Sequence, residues 1–75
     1  MKPYLCWNRD NDVVSDEIDA ASPMSAAIAF HARHGLNPST RVAVDDRRTG
    51  AVATFMVSAR EDGYHAAPDL QFEGT

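Results

Sequence analysis

Few residues in this chain are able to do chemistry, and their spacing decides whether they form a site. His31 and His34 stand three apart, a separation at which two imidazoles on one helix can reach a single metal ion, with Cys6 as the one thiol that could add a third ligand. No Cys-x-x-Cys and no second ligand pair accompanies them. His31 therefore reads as a histidine packed against a sheet, and no metal or cofactor is expected. A Cys6–histidine nucleophile pair is weaker still. Cys6 lies inside an apolar run, where a small core or edge residue is the simpler reading. It becomes an outward thiol only if Leu5 and Trp7 take the core side.

The run Asp10, Asp12, Asp16, Glu17 and Asp19 sets five carboxylates in ten residues. Its start, Asn8-x-Asp10-x-Asp12, has the form of a calcium loop, but Val13 stands where glycine is needed and Asp19 where a bidentate glutamate is needed. Two readings remain: a solvated loop and strand face, or an anionic patch. In the second, Asp10, Asp12, Asp16, Glu17 and Asp19 dock on a basic protein surface such as one built to hold nucleic acid. Asp45-Asp46-Arg47-Arg48 reads as a solvated turn with charges of both signs, which adds little stability. There is no phosphate-cradling glycine loop, no serine nucleophile elbow and no pair of carboxylates in a glycosidase setting. No enzymatic activity is expected.

The elements that must position these groups are legible from their punctuation. Pro3 to Trp7 predicts a first strand with Leu5 and Trp7 on one face, and the polar Asn8 to Asp12 a turn. Val13 to Ala20 predicts a second strand, with Val14, Asp16, Ile18 and Ala20 sharing a face. Ser22-Pro23 is a helix start, serine as N-cap and proline at the first helical position, before an alanine-rich stretch. The helix should run from Pro23 to about His34, where Gly35 and then Asn37-Pro38 end it. Met24, Ala27, Ile28 and Phe30 spread over its apolar arc, with Ala26, Ala29 and Arg33 toward the opposite side. Thr40 to Asp45 and Ala51 to Ala59 alternate as strands around the loop Asp46 to Gly50. Ala53, Phe55 and Val57 point to the core, while Val52, Thr54 and Met56 point to an open face. Glu61-Asp62-Gly63 is a second turn, and Tyr64 to Ala66 a short last strand. From about Pro68 the tail reads as frayed.

The expected fold is α+β: one α-helix packed on a small, mainly antiparallel sheet, ββαββ-like, with 1–75 as a single domain. A chain of this length buries only about 60% of the surface its unfolded form exposes and has a stability of roughly 4–11 kcal/mol. The net charge of −4 repels phosphate on average, so direct nucleic-acid binding is disfavoured. The single cysteine forms no internal disulfide, no apolar stretch approaches a membrane span, and no apolar signal core precedes Asn8. A cytoplasmic protein is expected. Six arginines against one lysine, with twelve alanines, suit a GC-rich bacterial or phage gene.

Two stretches together, Asp19-Ala20-Ala21-Ser22-Pro23-Met24-Ser25-Ala26-Ala27 and the hairpin from Val42-Ala43-Val44-Asp45 through Thr49-Gly50 to Phe55-Met56-Val57, resemble the layout of small phage and mobile-element proteins of the anti-CRISPR type. The resemblance covers about 40 residues and lies in layout rather than in a motif, so it carries over no functional residue. It implies a non-enzymatic module that occupies the surface of a protein partner. The alternative is a bacterial housekeeping domain that binds a larger enzyme or forms a homo-oligomer through its open sheet face or an edge strand.

Overall fold

The computed structural model describes residues 1–9, 14–34 and 39–68. Five strands and one helix follow in the order β1 (Lys2–Asn8), β2 (Ser15–Ala20), α1 (Pro23–His34), β3 (Ser39–Asp46), β4 (Val52–Arg60) and β5 (Gly63–Pro68). The strands form one sheet in the order β2-β1-β3-β4-β5, and every neighbouring pair is antiparallel. The one crossover carries the chain from the β2 edge, through α1, to β3 on the far side of β1. The fold is therefore the expected α+β arrangement, extended by a full fifth strand. Asp10, Asp12, Val13, the Gly35–Pro38 helix stop and the tail from Asp69 lie outside the described residues.

The helix begins where its cap dictates. Ser25 donates its backbone N–H to Ser22 Oγ at 3.2 Å and Ala26 to the Ser22 carbonyl at 3.0 Å, satisfying donors that the first turn leaves open. Ala26, Ala27, Phe30 and His31 are buried and recur at the three- and four-residue spacing of one helical stripe. This rotates the expected apolar arc. Ala26, placed toward solvent by the sequence reading, is fully buried, while Met24 is 37% exposed. The cause is close approach: the Cys6 thiol donates to the Ala26 carbonyl at 3.8 Å, a distance that only a small residue allows between helix and sheet. Phe30 fills the space beside it, and burying such a ring stabilises by roughly 1.5–3 kcal/mol.

From the sheet, Tyr4, Cys6, Ile18, Ala20, Val42, Val44, Phe55 and Val57 complete the core. Cys6 thus faces the helix. Leu5 and Trp7 share a face as expected, but it is the one away from α1, because Tyr4 and Cys6 occupy the inner positions of β1. Burial, followed by the neighbouring Asp16 charge, pushes the Cys6 thiol up to about 12, so it holds its proton at neutral pH and is a packing residue. The β3–β4 turn closes on Asp46, whose carbonyl accepts from Thr49 at 3.1 Å and Gly50 at 2.7 Å. Its carboxylate accepts from the Arg48 N–H at 2.9 Å. Gly50, with φ +78°, takes the left-handed conformation that the turn needs.

Candidate binding surfaces

Among the described residues α1 covers one face of the sheet only, so the alternate side chains of every strand are left on the other. Register fixes their neighbours. Leu5 stands between Glu17 on β2 and Asp45 on β3, and Trp7 between Ser15 and Ala43. Across β3 and β4, Ala43 faces Thr54, Arg41 faces Met56, and Asp45 faces Val52. Ala43 and Thr54 are buried although no helix lies over them, which places them at the floor of this face beneath the half-buried Leu5, Trp7 and Met56. Val52 is 48% exposed. Asp45 Oδ1 is shielded from solvent and has no hydrogen-bond partner among the described residues, leaving an acceptor on this face to be satisfied. Beside Met56 a shallow groove of about 400 Å³ is lined by Met56, Ser58, Arg60, His65, Ala66 and Ala67.

The acidic run does not form one patch. Asp16 points to the helix side, where it accepts from Arg33 Nη1 at 2.7 Å and lies 3.3 Å from His34 Nε2. The Arg33 hydrogen bond, then His34 and the Arg33 charge, hold its carboxyl below the ordinary carboxylate range against the opposing effect of burial. Glu17 and Asp19 point to the opposite face and are exposed. Asp10 and Asp12 lie outside the described residues. Of the five residues singled out by charge, the fold sets Glu17 and Asp19 on the uncovered face and turns Asp16 into a strap between β2 and α1.

The histidines are likewise separated by role. His31 is buried and sets its ring against Tyr64 at 5.5 Å, edge-on, while the His34 ring lies 4.7 Å from Phe30. His65 Nε2 lies 3.0 Å from Asp62 Oδ1 in the β4–β5 turn, and this bond holds the Asp62 carboxyl below its ordinary range. Among the described residues no three of His, Cys, Asp and Glu converge as metal ligands.

The sheet also ends in two edges whose outward backbone can be read from the hydrogen-bond phase. Arg9 donates to the Arg41 carbonyl at 2.9 Å, so Leu5, Trp7 and Arg9 bond to β3 and the intervening residues of β1 bond to β2. Alternation then leaves Ser15, Glu17 and Asp19 with N–H and C=O directed away from the sheet. At the other side Asp46 donates to the Ala51 carbonyl at 2.9 Å. Met56, Ser58 and Arg60 therefore bond to β5, which leaves Tyr64, Ala66 and Pro68 facing outward. Proline has no N–H to lose there.

These features define an α+β domain with a one-sided helical cover and a half-apolar free face. No protein-family model, curated protein or solved structure matches the chain, so any functional reading rests on its own residues. The sequence reading had placed Val52, Thr54 and Met56 on this face. It missed Leu5 and Trp7, because both parities of β1 are apolar and alternation cannot choose between them. An apolar strand on both parities is itself a signal that both faces are covered or used.

Among the described residues no helix is long and apolar enough to cross a membrane.

Proposed function

We propose that this protein is a non-enzymatic, cytoplasmic protein-binding module that docks through the sheet face away from α1. The observation that carries the reading is the position of Trp7, Leu5 and Met56 on that uncovered face, bordered by Glu17, Asp19 and Asp45. Tryptophan, methionine and arginine are the residue types enriched at the centre of protein interfaces, and Arg41 and Arg60 lie on the same face. The occupant is a protein surface that presents arginine or lysine beside an apolar side chain, because Glu17 and Asp45 flank Leu5, Asp19 stands beside Pro3 on the same face, and Asp45 Oδ1 lacks a donor. Basic surfaces that hold nucleic acid have this chemistry, so inhibition by occupying such a surface, in the manner of the anti-CRISPR proteins, is the specific form we favour. Carboxylates on the rim act mainly on association rate and its salt dependence.

Capture from a bacterial lysate on immobilised protein tests the reading when paired with variants. A prey retained by the parent and by Met24→Ala, released by raised salt, and lost from folded Trp7→Ala and from Glu17→Lys with Asp19→Lys supports it. Prey retained equally by all four contradicts it. The alternative, a domain that self-associates, is favoured by a separate observation at the β5 edge.

A further inference from the structure

We propose that β5 is a strand-addition edge whose occupant is β5 of a second copy of this chain, paired antiparallel about a two-fold axis at His65. The backbone supplies the site. Tyr64 and Ala66 direct their N–H and C=O groups away from β4, so in this register Tyr64 of one copy exchanges two hydrogen bonds with Ala66 of the other, and the symmetry repeats them, four in all.

The two edges differ in what they allow to approach. Glu17 and Asp19 stand at the outward positions of β2, and charged edge residues discourage strand addition. Tyr64, Ala66 and Pro68 bring no formal charge to β5, although the chain as a whole carries −4. Two copies therefore meet with least repulsion at β5. In the proposed register Gly63 stands opposite Ala67 and His65 opposite His65, and within β5 no carboxylate faces another. A β2 strand from a second copy would bring Glu17 and Asp19 to an edge that offers no cation at its outward positions, and head-to-tail addition would not close.

Side chains flank the edge on both sides. On the helix side Tyr64 is 43% exposed and would be covered by its symmetry mate. On the other side the groove beside Met56 and Ala67 lies along the strand. The contact is small, so association is weak and visible only as concentration rises. It borders the proposed docking face at Met56 but is centred on β5, which β3 and β4 separate from Trp7 on β1, so Trp7, the only tryptophan, reports on the docking face and not on the β5 edge.

Sedimentation equilibrium on the intact protein, from micromolar to millimolar concentration, should show the mass moving from one chain toward two. Over the same range, amide exchange should slow at Tyr64 and Ala66 and stay unchanged at Glu17 and Asp19, with Trp7 emission constant. Ala66→Pro removes an outward N–H without breaking a bond to β4, and should weaken association by at least about tenfold. If circular dichroism finds that variant unfolded, Tyr64→Lys and the parent's exchange pattern decide. A protein that stays monomeric at millimolar concentration overturns the proposal. So does a dimer protected at Glu17 and Asp19, or one that persists in folded Ala66→Pro. A dimer accompanied by a shift in Trp7 emission assigns the contact to the docking face and overturns it as well.

Discussion

Strands β2 and β5 close the same sheet, one at each side, and are held in opposite ways. β2 sinks Ile18 and Ala20 into the core and ties Asp16 to Arg33 and His34 on the helix, while its outward positions carry Glu17 and Asp19. β5 sinks no side chain fully: Ala66 is half-buried, and the half-exposed Tyr64 ring meets His31 in a T-shaped contact. A small sheet thus has one edge that is anchored and charged, and one that is loosely held and neutral. The contrast teaches that charge near an edge strand carries two separate meanings. Asp16 turns inward to pair with Arg33 and His34 of the helix, whereas Glu17 and Asp19 face solvent.

The comparison predicts a graded set of effects. Phe30→Ala, which empties the core under the helix that holds both edges, should cost about 3–5 kcal/mol, read from the denaturant midpoint. That is a large share of the stability of a 75-residue chain. Ile18→Ala should cost about 2–5 kcal/mol, and Tyr64→Ala should stay within about 1 kcal/mol because its ring is half exposed. Equal losses in these two variants would make β5 as firmly anchored as β2 and break the contrast.

Thiol labelling sharpens it further. Cys6 is buried beside Asp16 and keeps its proton up to about 12, so an alkylating reagent should leave it unmodified in the folded protein and react on unfolding in denaturant. Opening of the β5 edge alone does not uncover it. Labelling as fast as the exchange of the His65 and Ala67 amides, which bond to β4, would show β1 and β5 opening together.

Acid titration separates the two edges by smaller effects. Asp16 and Asp62 both have folded pKa values below the ordinary 3.8. Each therefore contributes stability that is present above that value and lost as pH falls through the folded one. Asp16→Asn should flatten this acid loss more than Asp62→Asn, since Asp16 joins β2 to α1 while Asp62 and His65 belong to one hairpin. The reverse order in acid melts would contradict the anchoring role. The smallest change is expected from Arg33→Ala, which should barely move the melting midpoint, because an exposed ion pair is screened and costly in side-chain entropy.

Much of this fold was legible in its punctuation. Ser22-Pro23 located α1 to the residue, and Gly50 and Glu61-Asp62-Gly63 located the turns around β4. Ala53, Phe55 and Val57 revealed the inner face of β4 by alternation. The face of β1 was not legible, because Tyr4-Leu5-Cys6-Trp7 offers apolar residues on both parities, and only the partner strands and the helix choose between them. Nor was the rotation of α1, because four alanines among its twelve residues make a weak amphipathic signal and Ala26 carries no mark of its face until Cys6 lies beneath it. The acidic run was visible as charge, but its division between Asp16 and the pair Glu17 and Asp19 follows from strand alternation set by register. The sheet order, and with it the identity of the two edges, depends on long-range pairing that local pattern does not encode.

The proposed docking surface is the sheet face that carries Trp7, and the lone tryptophan offers a direct measurement of its use. Titrating the protein with a captured partner should shift Trp7 emission to the blue and protect it from acrylamide, in step with binding, and Trp7→Ala should lose more than about tenfold in affinity while remaining folded. Saturable binding that leaves Trp7 emission and quenching unchanged, with full affinity in folded Trp7→Ala, would contradict the claim.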